Sequence, residues 1–193
     1  MALLELIGIG LIVVVIVFVI ALIAMYNSIV SLMKRVENAW AQIDVQLKRR
    51  ADLIPNLIET VKGYAKFEKS VLTEVTKART AILSATSPKE AAKGENMLSG
   101  ALKSVFAVAE SYPTLKANEN FKSLQEELAS TENKVAFARQ FYNDTVMQWN
   151  TTIAVFPSNI VAGMFGMAKE KEYFEVEEEA KKSVKVDFSD LSK

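Results

Sequence analysis

The chain has 193 residues, half of them hydrophobic, with 23 basic and 23 acidic side chains and a formal net charge of zero. That balance argues against nucleic-acid binding, which draws on clustered Lys and Arg to displace counterions. The chain contains no Cys and no His, which excludes disulfides, thiol nucleophiles and Cys-based zinc sites, and removes the commonest general base and metal ligand.

With only 7 Gly and 4 Pro, the chain is predicted to have few loops and long helices. The first element is the uncharged run LIGIGLIVVVIVFVIALIAM, residues 6–25. About 20 apolar residues at ~1.5 Å each cross a hydrocarbon core of ~30 Å. A cleaved signal peptide is the weaker reading, because no basic residue precedes the run, the run is long, and no small-x-small site follows. Lys34 and Arg35 follow the span and none precedes it. This charge asymmetry places a short N-terminus outside and the C-terminal domain in the cytoplasm.

No break separates this span from the next stretch. Ile29, Leu32, Val36, Ala39, Ile43, Leu47, Ala51, Ile54, Ile58, Val61 and Ala65 recur at three-four spacing, the mark of one apolar stripe on a long helix. Pro55 interrupts it. A proline lacks its own N–H and crowds the carbonyl four residues earlier, so a kink is predicted there rather than an end. Gly63 and residues 66–70 predict a bend, after which Val71, Val75, Ala78 and Ile82 resume the stripe. In SATSPKE, Ser87 reads as an N-cap, Pro88 as the first helical residue and Glu90 as its capping-box partner. That helix is predicted to reach about Tyr112, with Gly94 and Gly100 weakening its first half.

After YPTLKANEN, with Asn118 as the next cap, another long and regular stripe runs through Phe121, Leu124, Leu128, Thr131, Val135, Ala138, Tyr142, Thr145 and Trp149 to FPSN at 156–159. Its spacing suits coiled-coil-like packing against another helix. NIVAGMFGM then reads either as a helix covering the bundle end, the favoured expectation, or as a second membrane contact too short to span. In the tail, Val184, Val186 and Phe188 alternate with polar residues, a weak strand pattern. The acidic run 175–179 reads as solvated surface.

These elements give an all-α fold in which an N-terminal single-pass transmembrane helix runs into an elongated antiparallel helical bundle with coiled-coil-like packing. The predicted organisation is an anchor over residues 1–27, a bundle over 28–168, and a charged tail with a short strand over 169–193. Catalytic, metal and cofactor sites are not expected. Glu126, Glu127 and Glu132 resemble a di-iron set only superficially, since that site takes Glu-x-x-His pairs. No G-x-S-x-G or glycine-rich phosphate cradle occurs.

The candidate site residues are polar groups beside the apolar stripes: Asp44, Arg49, Arg50, Asp52 and Asn56 on the first helix, with Arg139, Asn143 and Asp144 on the last. Packed antiparallel, these helices would form an interhelical polar network in which Arg139 and Asn143 face Asp44 or Asp52 and fix register. The alternative is that they are separate exposed charges. At the Pro55 kink, Arg49, Arg50, Asp52 and Asn56 are also placed to satisfy the freed backbone. Trp40, Phe137, Phe141 and Trp149 are large enough to anchor contacts with a partner, with burial in the core as the other reading.

Three blocks are specific enough to carry a family resemblance: VENAWAQIDVQLKRRADLIPNLIETVKGYAKFE at 36–68, FAVAESYPTLKANENFKSLQEELASTENKVAFARQFYNDTV at 106–146, and FPSNIVAGMFG at 156–166. With KVDF at 185–188, they resemble the LemA family over nearly the whole chain. The chain departs from the usual motif at Phe67, where a histidine often stands, which argues against a histidine-dependent role there. The resemblance implies a bacterial or archaeal protein with one N-terminal membrane helix, an α-helical domain and no established enzymatic activity. It places the chain in the prokaryotic cytoplasmic membrane. It also brings two contexts: gene neighbourhood with a membrane zinc metalloprotease of the heat-shock type, and a relative that serves magnetosome membranes. The predicted function is therefore a membrane-anchored, non-catalytic scaffold or interaction module that self-assembles. Its expected partners are the lipid bilayer and further copies of the chain. The alternative is an accessory factor for a membrane metalloprotease or other envelope enzyme.

Overall fold

The computed structural model describes residues 2–63 and 69–175. Ala65, residues 66–68 of the bend predicted at 66–70, and the predicted strand at 184–188 lie outside the described residues, while Lys69 and Ser70 already belong to the second helix. Within them every regular element is helical: α1 (Ala2–Lys62), α2 (Lys69–Leu83), α3 (Pro88–Ala109), α4 (Pro113–Lys116), α5 (Glu119–Ala154) and α6 (Ser158–Met164). The fold is all-α, as the stripes predicted.

α1 changes character along its length. No residue from 2 to 28 is buried, and the N-terminal part is long and apolar enough to cross a membrane. From Ile29 onward a side chain is buried every three or four residues over most of the helix: Ile29, Val36, Ala39, Ile43, Leu47, Ala51, Ile54, Leu57 and Val61. Leu57 takes the place expected for Ile58, which is half-buried. The reason is the period. Positions 29, 36, 43, 50 and 57 are seven apart, and a seven-residue repeat favours Leu57 over its neighbour. The same spacing governs α5, where Phe121, Leu128, Val135, Tyr142 and Trp149 are buried, with Thr131 and Thr145 between them.

Helix ends follow local chemistry. The Ser87 hydroxyl accepts from the Glu90 N–H at 3.2 Å, and Pro88 opens α3 where no N–H is needed. Glu90 also accepts from the Thr86 N–H and hydroxyl. These bonds hold its carboxyl below the usual glutamate range. Asn118 caps α5, accepting from the Phe121 N–H at 3.1 Å.

The chain divides into two compact units. Of the described residues, the first holds 2–45 and 135–173, and the second holds 46–63, 69–134 and 174–175. In the first unit α1 and α5 run antiparallel. Trp40 meets Tyr142 with ring centroids 5.7 Å apart, while Tyr26, nearer the start of α1, meets Phe165 beyond the end of α5 at 4.6 Å. The Phe156–Pro157 peptide bond at the α5–α6 turn is cis. Met167 N–H bonds the Ala162 carbonyl and Gly166 N–H bonds that of Gly163, which closes α6. Gly166 has φ 69°, the left-handed conformation this helix ending demands and a β-carbon disfavours.

In the second unit α2 packs on α3 at a close crossing. A β-carbon at Gly94 would lie 2.9 Å from the Ile82 backbone nitrogen, so glycine there is a packing requirement. Gly100 faces open space.

Candidate functional site

The second unit is built around a buried cation. Arg50 falls in the seven-residue series 29, 36, 43, 50, 57, whose other members are Ile, Val, Ile and Leu, and it is 1% exposed. Burying an unpaired guanidinium is strongly unfavourable, so its partners decide whether the helix can pack this way. Its Nη1 donates to Glu95 Oε1 and, at 3.1 Å, to Ser99 Oγ, both on α3. Its Nη2 donates to Glu132 Oε2 on α5 at 3.0 Å. Glu95 is buried with Arg50, whereas the Glu132 side chain is 54% exposed. Burial pulls the Arg50 pKa down and the Glu132 charge opposes that shift. Arg50 Nε, Glu95 Oε2 and Gln46 Oε1 are buried with no hydrogen-bond partner among the described residues.

Close by on the same helix, the backbone supplies a second polar demand. α1 continues through Pro55, which has no N–H to give the Ala51 carbonyl. The Arg79 side chain on α2 meets it instead, its Nε–H donating to Ala51 O at 3.0 Å. One long arginine thus replaces a missing helical hydrogen bond.

In the first unit a polar clasp fixes the chain after α6. The Trp149 indole N–H donates to Lys169 O at 3.0 Å, and the Tyr142 hydroxyl donates to Glu172 O at 2.8 Å. Asn150 exchanges two bonds with the Lys171 backbone, at 3.1 and 2.9 Å. Burial, assisted by the Glu172 charge, pushes the Tyr142 hydroxyl up to about 12, so it remains a neutral donor.

Among the sequence candidates, Arg50 is the polar residue carried into the core. Arg49, Asp52, Asn56 and Asp144 are not buried, Pro55 is exposed, and Asp44, Arg139 and Asn143 are at most half-buried. Asp44 and Asn143 each engage a neighbour. The Asn56 carbonyl accepts from the Thr60 hydroxyl at 2.8 Å. Trp149 is buried and Trp40 half-buried, while Phe137 and Phe141 stand exposed. Glu95, Ser99 and Arg79 were not among the candidates. One signal for Glu95 was available: it falls four residues after Ala91 and three before Leu98, on the buried face of α3.

This arrangement fits helix-locking chemistry. A guanidinium forked between two helices fixes register and rotation, as polar groups at core positions do in other helical assemblies.

The LemA family model matches residues 39–188, a span that takes in the whole arginine cluster and the clasp. The chain belongs to the LemA family. It is similar to the magnetosome protein MamQ 2 of Paramagnetospirillum magneticum, 25% identical over 187 residues that cover 83% of this chain and 68% of that protein. Protein LemA of Metamycoplasma hominis is 27% identical over 140 residues, covering 70% of this chain and 63% of the relative. The magnetosome protein MamQ of Magnetospirillum gryphiswaldense is 22% identical over 183 residues, covering 81% and 67%. None of these names denotes an enzyme activity.

Proposed function

We propose that this LemA-family chain is a membrane-anchored, non-catalytic scaffold that assembles with copies of itself at the prokaryotic cytoplasmic membrane. The observation that carries this reading is the continuity of α1. A single helix passes from an apolar run at 6–25 with no buried residue into buried, packed positions without interruption. Force or position at the membrane is therefore carried into the folded part without a flexible linker. Lys34 and Arg35, which follow the span, favour the bundle on the cytoplasmic side.

Self-assembly is supported by the exposed pair Phe137 and Phe141, four residues apart and therefore on one face of α5. Phe137 is 73% exposed, an aromatic payload of the kind that anchors protein interfaces. The test is the mass of the full chain in mild detergent by light scattering, beside cross-linking and mass spectrometry in native membranes. Oligomers that weaken in the F137A/F141A variant support the scaffold. A monomer at every concentration refutes it, and recovery of a membrane metalloprotease without self-cross-links favours the accessory-factor alternative.

A further inference from the structure

α6 carries apolar side chains on both of its faces. Ser158, Val161 and Ala162 face inward, while Ile160 and Met164 point outward one turn apart. Phe165 follows Met164 into solvent, and Phe156 on the preceding turn is 78% exposed. Apolar area of this kind, gathered on one short hairpin, marks a contact surface.

Its position identifies the contact. The Phe165 ring packs on Tyr26 at 4.6 Å, and Tyr26 is the residue directly after the apolar run. The hairpin therefore sits where α1 leaves the hydrocarbon, the level at which aromatic side chains collect in membrane proteins. In the same unit a cavity of about 620 Å³ opens between α1 and α5, lined by Ser28, Ser31, Arg35, Gln148, Thr151 and Thr152 among others. Ser28 lies about 4.5 Å and Arg35 about 15 Å along the helix from the end of the run, at ~1.5 Å per residue. Side chains on a helix lean toward its N-terminus, so the Arg35 guanidinium leans back toward the bilayer. No carboxylate lines the cavity. Lys34 next to it is paired with Glu37 at 2.8 Å, whereas Arg35 has no carboxylate partner among the described residues.

We propose that the first unit is a phospholipid-binding site: the α6 hairpin lies in the headgroup–acyl boundary beside α1, and Arg35 with the surrounding hydroxyls receives the phosphate of an anionic lipid. The proposal rests on α1 being the membrane anchor. It assigns α6 a second, interfacial membrane contact and gives the anchor a preference among lipids.

The absence of native cysteine makes single-site spin labelling of the full chain clean. Labels replace Val14 in the run, Ile160 on α6 and Glu127 on the exposed face of α5, in vesicles of phosphatidylcholine and phosphatidylglycerol. Collision with oxygen is expected to exceed collision with a water-soluble nickel chelate at Val14 and Ile160, and to fall below it at Glu127. A lipid-like Val14 with a water-like Ile160 overturns the proposal. A water-like Val14 overturns the anchor reading instead. The headgroup half is read with spin-labelled lipids, as the fraction immobilised by protein. Wild type is expected to prefer phosphatidylglycerol over phosphatidylcholine by about fivefold, and R35Q to lose most of that preference. Equal preference in R35Q and wild type overturns the headgroup assignment. Loss of the preference in wild type on adding millimolar glycerol phosphate assigns the cavity to a soluble phosphate and overturns the lipid.

Discussion

Replacing Arg50 with methionine removes the guanidinium and leaves its nearest partner behind. Glu95 keeps its carboxylate, with only 7% of its side chain exposed, and no described cation replaces the one removed. Breaking a buried pair in this way costs about 3–5 kcal/mol, because one charge stays buried without compensation. The Glu132 contact adds little, since its side chain is 54% exposed and a pair so hydrated contributes at most about 1 kcal/mol. For a chain of this size each kcal/mol lowers the melting temperature by about 2–4 °C, so R50M is expected to melt roughly 6–20 °C below wild type. R50M/E95M removes both charges in favour of apolar side chains of similar volume. It is expected to recover to within about 2 kcal/mol of wild type or to exceed it. The assay is thermal and urea unfolding of the full chain in detergent micelles, followed by helical circular dichroism, with E132Q as the mild control. A cost below about 1 kcal/mol for R50M would refute the buried-pair account. So would a double variant that shows the sum of the two single losses.

Truncating Arg79 to alanine leaves the Ala51 carbonyl without its donor and should cost about 1–3 kcal/mol. In a P55A background the substituted residue supplies the missing N–H and the penalty should shrink, so an unchanged penalty in a double-mutant cycle would show that Arg79 acts elsewhere. G94A drives a β-carbon into the α2 backbone and should destabilise by about 1–3 kcal/mol. G100A, in open space, should stabilise by up to about 1 kcal/mol, and denaturant midpoints that rank the two in the reverse order would contradict the crossing. The Tyr142 phenol, raised to about 12 by burial and the Glu172 charge, favours the folded state while neutral. Its contribution is complete below the ordinary value near 10 and is lost as pH rises toward about 12. Ultraviolet difference titration should therefore show one late tyrosine, absent in Y142F, and hydrogen exchange at Lys171 should accelerate over that window.

Much of the fold was legible because it is written in short-range chemistry. Ser87 and Asn118 could be named as caps from the residues around them, and the stripes on α1 and α5 are periodic over many turns. What required the structure depends on azimuth and on long-range pairing. Leu57 and Ile58 are both apolar, and only the seven-residue register of the packed helix decides between them. Arg50 could be named as a polar candidate, but its partners Glu95 and Ser99 lie 45 and 49 residues away, on a helix whose rotation the sequence does not specify. α6 was expected to cover the bundle end. Val161 and Ala162 are buried, as that expectation requires, while Ile160 and Met164 face outward, and a short apolar run does not say in sequence which of its residues take which direction.

The opposing local signals around RRADLIPNL have a common physical consequence. Pro55 withdraws a hydrogen bond from the helix at Ala51, and one residue before that carbonyl Arg50 demands desolvation of a full charge. Both penalties fall within a turn and a half of α1, so this segment is a poor helix by itself. Each is met by a side chain from elsewhere in the second unit: Arg79 from α2, Glu95 and Ser99 from α3, and Glu132 from α5. The C-terminal part of α1 therefore gains its helical stability from docking, and docking is correct only at the rotation that presents Arg50 to both acidic partners at once. A purely apolar stripe would accept neighbouring registers at small cost. Here a misregistered helix would bury an unpaired arginine and an unpaired glutamate together. The conflict between local sequence and local structure at residues 50–55 is thus what selects a single packing for the unit.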